Sequence, residues 1–301
     1  MKKLFSLALL IVFTSVTAFT QVSLKYDLKE GTSYDTKSEM NQKISQTIMG
    51  QTQEISNLQG AGVNMTVLSV NDGSYEVKLT YTSMRIYQPM AQVDYDSEKP
   101  SSSPNPMTKS FDAVIGEGFT FTLTEKGEVS NIQGIDAMLD NMATKMEITD
   151  QAQLQALKAQ LSSQYNDESA LAQVQQSIMK FPANAVSIGD TWSEDESIQA
   201  PLPMKILTSY EVAALNAETI TINVSSEVFT EGEEMNMGGA TMTPDLSGIQ
   251  SGTLTVDRAT GLVLSSTMDQ MISGAMMMTS PQEMEIPMEI SGEVTVSGTI
   301  N

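Results

Sequence analysis

Three stretches of this sequence place methionine thioethers at spacings that could converge on a soft metal ion. They are Met235, Met237 and Met242 in EEMNMGGATM, Met268 and Met271 in MDQM, and Met276, Met277 and Met278 within MISGAMMMTSPQEMEIPMEISG, which holds six methionines in residues 271–292. Thioethers select copper(I), which commonly recruits histidine or cysteine as well. The chain has neither residue type. Successive strand residues alternate faces, so Met276 to Met278 cannot all reach one ion. Packing and apolar contact are the roles these side chains favour, and no metal ligand is assigned.

Hard-ion and carboxylate chemistry fare no better. Acids cluster in DYDSE (94–98), SEDES (193–197) and EGEE (231–234). None has the spacing of a calcium loop, with glycine at the turn and a closing bidentate glutamate. Paired carboxylates could cleave a glycoside, but such clefts use aromatic platforms, and the chain holds one Trp and 8 Tyr. The absence of histidine removes the commonest general base, the usual triads and nearly all zinc sites. No catalytic residue and no cofactor is expected, and a carboxylate-based hydrolase is the lesser alternative.

The ends and the charge restrict the setting. MKKLFSLALLIVFTSVTAFTQV has two lysines, an apolar run from Leu4 to Phe13 and then small and hydroxyl residues, the pattern of a secretory signal peptide over 1–20. Cleavage falls after Ala18 or after Thr20. The run is shorter than the ~20 residues of a membrane span, and no later run approaches that length. The expectation is an exported, soluble protein, periplasmic or extracellular, without stable transmembrane anchoring. Lys+Arg is 16 against Asp+Glu 37, a net charge of −21. Such a surface repels phosphate backbones and anionic headgroups, so nucleic acid is not an expected partner.

The elements that must position any site are mostly strands. Met284, Ile286, Met288, Ile290, Val294, Val296 and Ile300 share one parity, with Glu285, Glu289, Glu293 and Thr295 on the other. The same alternation marks Met204, Ile206, Tyr210 and Val212, then Ile220, Ile222, Val224 and Val228, and Tyr75, Val77, Leu79 and Tyr81. Turn residues at Asn71 to Gly73, Glu125 to Gly127 and Asp257 to Gly261 predict hairpins. Residues 135–182 change period. Ile135, Met138, Leu139, Met142 and Met146 recur at helical spacing, Asp150 with Gln153 resembles a capping box before Leu154, and a further segment carries Leu171, Val174 and Ile178 up to Pro182. DSEKPSSSPNPMTKS (96–110) reads as an exposed loop between strands. The division is a signal peptide (1–20), an N-terminal β half (21–134), a helical insertion (135–182) and a C-terminal β half (183–301), with 21–301 as one unit.

The halves echo each other. LKEGTSY (28–34) matches VSIGDTW (186–192), and GFTFTLTEKGEVSNI (118–132) matches GTLTVDRATGLVLSS (252–266). Either an ancient duplication or independent selection of good hairpin sequence accounts for such short matches.

With LKYDLKEGTSY near the mature N-terminus, FTLTEKGEV before the helices, FPANAVSIGDTW after them and DRATGLV near the end, the chain resembles a family of uncharacterised secreted proteins common in Bacteroidota. More distantly it resembles the half-barrels of periplasmic lipoprotein and lipid carriers. The first resemblance implies no activity, and the second implies a fold alone.

The expected fold is mainly β (α+β): a long, curved antiparallel sheet or half-barrel with a central helical insertion. A curved sheet with one apolar face encloses either a core or a cavity. Flexible methionines line adaptable apolar surfaces, so candidate ligand contacts are Met138, Met142 and Met146 on a helix stripe, Met284 and Met288 on the last strand, and Trp192. Trp192 is equally an anchor at the strand that leaves the helices. Gly292 and Gly298 fall on the apolar parity of the last strand, where missing side chains leave room or permit bending. The expected function is binding of a lipid or other hydrophobic molecule without catalysis. The alternative is an envelope structural or protein-interaction module with a filled core.

Overall fold

Strand formation follows the period-two pattern throughout the computed structural model of the chain. It describes residues 21–99, 106–148, 166–198, 202–230, 240–280 and 282–301, with a few positions between these stretches. The signal peptide and most of the helix expected after Asp150 lie outside the described residues.

The strands are β1 (Ser33–Ile48), β2 (Gln51–Asn71), β3 (Ser74–Gln88), β4 (Val93–Asp96), β5 (Gly118–Thr124), β6 (Val129–Gln133), β7 (Thr191–Ile198), β8 (Met204–Leu215), β9 (Thr219–Thr230), β10 (Met235–Met237), β11 (Ala240–Asp257), β12 (Val263–Ser280) and β13 (Met284–Ile300). They form one 13-stranded antiparallel sheet, ordered β6-β5-β3-β2-β1-β13-β12-β11-β9-β8-β7, with β4 beside β3 and β10 beside β11. The fold is a curved open sheet, a half-barrel. Its curl is visible in the core, where Val77 and Phe121 from one arm join the same cluster as Val212 and Ile222 from the other. Register shifts at Gly62/Val63 and Val212/Ala214 supply local bends within long strands.

A short 3-10 helix (Pro89–Ala91) lies between β3 and β4, and the α-helices with described bounds are α1 (Pro106–Val114), α2 (Ile135–Lys145) and α3 (Asp167–Ser177). α2 turns Ile135, Met138, Leu139, Met142 and Ala143 inward. α3 opens on a capping box between Asn166 and Ser169, and buries Ala170 and Val174. The loop expected over 96–110 needs correction: α1 begins inside it at Pro106, since proline lacks only an N–H that the first helical turn leaves unbonded. Tyr95 anchors this helix, its hydroxyl 2.7 Å from Asp112 Oδ1 and its ring 5.2 Å from Phe111.

The two halves repeat one plan. β1-β2-β3-β5-β6 is a meander, and β7-β8-β9-β11-β12 is another with the same order of neighbours. Gly31 and Gly189 hold positive φ, 81° and 87°, just ahead of the first strand in each. The closing hairpins turn at Gly127 and Gly261, also at positive φ. A chain segment leading into the opposite half crosses each turn. An added Cβ on Gly127 would lie 2.3 Å from the Met179 carbonyl, and one on Gly261 would lie 2.3 Å from the Lys25 carbonyl. Phe181 N–H donates to Lys126 O (2.9 Å), and Asp27 N–H donates to Thr260 O (3.0 Å). The crossing segments meet in a bridge between Val22 and Val186.

Candidate functional site

The inner face of the half-barrel divides into a filled end and a part-open end. At the first, the helices and the N-terminal arm (Leu24, Tyr26, Leu28) pack onto the sheet. The enclosed space left among Leu28, Tyr34, Met65, Leu123 and Ile178 is about 20 Å³, room for no more than about one water. Met138 and Met142 are both 1% exposed within this core, and Met146 packs against it. Trp192 also belongs here. It stacks on Tyr210 at 5.1 Å and 17°, and its Nε1 donates to the Lys180 carbonyl at 3.3 Å. Met138 and Met142 are thus buried in the core, while Met146 and Trp192 are partly buried against it.

The second end has its own cluster, Val228, Leu246, Ile272, Met276 and Ile286, to which no described helix residue contributes. Around it lie the half-buried Ile48, Met204, Ile206, Met242, Met284, Met288 and Ile290. Met284 and Met288 are therefore brought together with other methionines, and are separated from Met138, Met142, Met146 and Trp192. Register explains the grouping, because Met235 pairs with Met242, Met242 with Met278, and Met278 with Met284. This row of thioethers across four strands could not be seen as linear spacing. Of the consecutive methionines, Met276 is buried, whereas Met277 faces outward, 42% exposed.

Between the two ends runs a line of polar side chains. Each antiparallel pair sets one residue directly opposite its neighbour on the same face. Following the pairing from edge to edge gives Glu194, Thr208, Ser226, Gln250, Gln270, Gly292, Gln42 and Asn57, on β7, β8, β9, β11, β12, β13, β1 and β2. The next row toward the filled end includes Tyr210, Val224, Met268, Val294 and Met40. The next row toward the part-open end includes Ile206, Val228, Ile272, Ile290, Ile44 and Ile55. Thr208 and Ser226 share a hydroxyl hydrogen bond of 2.9 Å, and Gln250 Nε2 donates to Gln270 Oε1 at 3.2 Å. Gln270 is 8% exposed, and its Nε2 has no partner among the described residues.

Glu194 ends this line on the sheet edge. Burial pushes its carboxyl up to about 7; the nearby Glu196 adds to the rise and the Lys180 ammonium opposes it. Lys180 Nζ lies 3.1 Å from Glu196 and 3.9 Å from Glu194, clasping the segment before β7 to that strand. The group can exchange a proton near neutral pH. Among the described residues, no three or more acids gather where they could hold a metal ion.

An open depression of about 410 Å³ spans β13, β1, β2 and β3, lined by Lys43, Leu58 and Tyr87 together with Gln42, Asn57 and Gly292 of the polar line. No described helix is long and apolar enough to cross a membrane, which leaves β-barrel spans unaddressed.

These features define an antiparallel half-barrel with one end of its concave face filled and the other apolar and part-exposed. The chain belongs to a family of unknown function, DUF6263, whose model matches residues 72–263. No curated protein matches it. Among solved structures it is similar to lipovitellin, described for its lipid–protein interactions, at 9% identity and a TM-score of 0.47. That match covers 91% of this chain and 26% of lipovitellin, so the chain spans about a quarter of that protein's length. An outer membrane channel from Pseudomonas putida F1 is similar at 9% identity over 91% of this chain and 97% of its own, TM-score 0.21. A DUF1329 family protein from Desulfovibrio piger is similar at 9% identity over 87% and 83%, TM-score 0.12.

Proposed function

We propose that the chain is an exported, soluble and non-catalytic protein that binds a lipid or another hydrophobic molecule in the cell envelope, against the part-open end of its concave face. The observation that carries this reading is the half-buried apolar lining there: Met204, Met242, Met284, Met288 and Ile290 surround a cluster without a helix residue, while the other end of the face is already filled. Part-exposed apolar surface on a concave face favours an apolar ligand, and methionine adapts to its shape. Export is supported by the charged, apolar and small-residue sequence of residues 1–20.

Organic extraction of protein purified from its native host, followed by mass spectrometry, tests the reading. The expected result is a hydrophobic molecule in stoichiometric amount. A clean extract, with no binding of an added fluorescent fatty acyl probe, overturns it.

The rival reading, a protein-interaction module, is favoured by Ile249 and Met271, cross-strand partners on the outer face that are 59% and 66% exposed.

A further inference from the structure

We propose that the polar line across the concave face is a binding site for a neutral hydrogen-bond acceptor carried by an otherwise apolar ligand, with the Gln270 carboxamide as its donor. This deepens the hydrophobic-ligand reading and rests on it. The ligand class it names is an acyl ester or amide, as distinct from a plain hydrocarbon.

Ser226 and Gln270 each break a run of apolar inward residues, on β9 and β12, whereas Gln42 shares its parity on β1 with Thr36, Ser38 and Gln46. Ser226 stands between Val224 and Val228, Gln270 between Met268 and Ile272, and Gln42 between Met40 and Ile44. Strand pairing sets these three residues in a single row. A buried polar group without a partner costs about 1–3 kcal/mol. The row meets most of that demand internally, through the Thr208–Ser226 and Gln250–Gln270 bonds. What remains is the amide nitrogen of Gln270, a residue 8% exposed, neither of whose N–H groups has an acceptor among the described residues. Turning the amide over does not remove the problem, since it sets nitrogen against the Gln250 nitrogen and leaves a buried oxygen unpartnered instead.

The free Nε2 lies over Gly292. A Cβ built there would lie 2.5 Å from the Asn41 carbonyl oxygen, 3.1 Å from Nε2 and 3.3 Å from Gln42 Cγ. Only glycine lets the Gln270 amide lie this close over β13, and Nε2 is the one buried side-chain donor among the described residues that lacks an acceptor. Along the strands, the neighbouring inward positions are ~7 Å away on either side and apolar, so a ligand passing through would present hydrocarbon both before and after its acceptor. The acceptor is neutral: the chain carries a net charge of −21, and the cation that reaches the end of the row, Lys180, is taken up by Glu194 and Glu196. A carboxylate would meet repulsion without a counter-charge.

The test uses the full mature chain and two probes of equal length, a pyrene-labelled fatty acid methyl ester and the corresponding pyrene-labelled alkane, in a fluorescence titration. The wild type is expected to bind the ester about tenfold more tightly than the alkane, and Gln270→Leu is expected to bring that ratio to about one while keeping or raising the melting temperature. Equal wild-type affinities for the two probes overturn the acceptor site and leave the hydrophobic-ligand reading standing. Binding of neither probe overturns both. A ratio of ten that persists in Gln270→Leu, or in Gln270→Met, assigns the preference elsewhere and overturns the role of this residue.

Discussion

The hydroxyl of Tyr26 donates to the carbonyl of Met179 at 3.1 Å, and the same ring meets Phe181 at a centroid distance of 5.0 Å. One side chain thereby joins the N-terminal arm to the segment that leaves the helices. Tyr26 is 2% exposed, and burial raises its phenol well above the ordinary range, so it stays a neutral donor. Tyr26→Phe should cost about 1–2 kcal/mol by stranding a buried carbonyl, and Tyr26→Ala about 3–5 kcal/mol by emptying the site. Urea denaturation monitored by Trp192 fluorescence checks both.

Three glycines with similar backbone angles should respond differently to alanine. Gly127 and Gly261 combine positive φ with a crossing carbonyl 2.3 Å from the would-be Cβ, whereas Gly189 at φ 87° has nothing within 4 Å. Gly189→Ala should cost about 1 kcal/mol, the ordinary left-handed penalty, and the other two distinctly more. Equal losses at all three would refute the crossing geometry.

Glu194 should give the fold a pH dependence of unusual sign. Its carboxyl is held at about 7 against an ordinary 4.5, so the folded state keeps the proton more tightly. Its stabilising contribution is complete below about 4.5 and is lost as pH rises through 7, by on the order of 1 kcal/mol after screening at a sheet edge. Melting temperatures across that window should fall with pH in the wild type and flatten in Glu194→Gln.

The methionine row gives a distinction between packing and ligation. If the thioethers serve as apolar lining, Met242→Leu with Met284→Leu should change stability by less than about 1.5 kcal/mol and keep acyl-probe affinity within about threefold. Loss of a silver(I) adduct in native mass spectrometry, present in the wild type and absent in the double variant, would instead assign them to a soft metal.

Alternation alone was enough to find β13, since every residue from Met284 to Ile290 obeys one parity and its burial follows. The stripe of Ile135, Met138, Leu139 and Met142 likewise announced α2. α1 was missed because Pro106 sits in a run of serine and proline that reads as loop, and the residues that fasten it, Tyr95 and Val114, flank that run. The polar line was illegible for a different reason. Thr208, Ser226, Gln250, Gln270 and Gln42 come from five strands, and none of them alone signals a site. Only register aligns them, and register depends on turns and bulges that a single sequence specifies weakly. A partial signal did exist: Gly292 stands out on an apolar parity.

β1 and β13, the first and last strands, lie side by side at the middle of the sheet, Tyr34 opposite Ile300 and Gln46 opposite Met288. The seam joining the two meanders is therefore a pairing of residues far apart in sequence, the slow kind of contact to form.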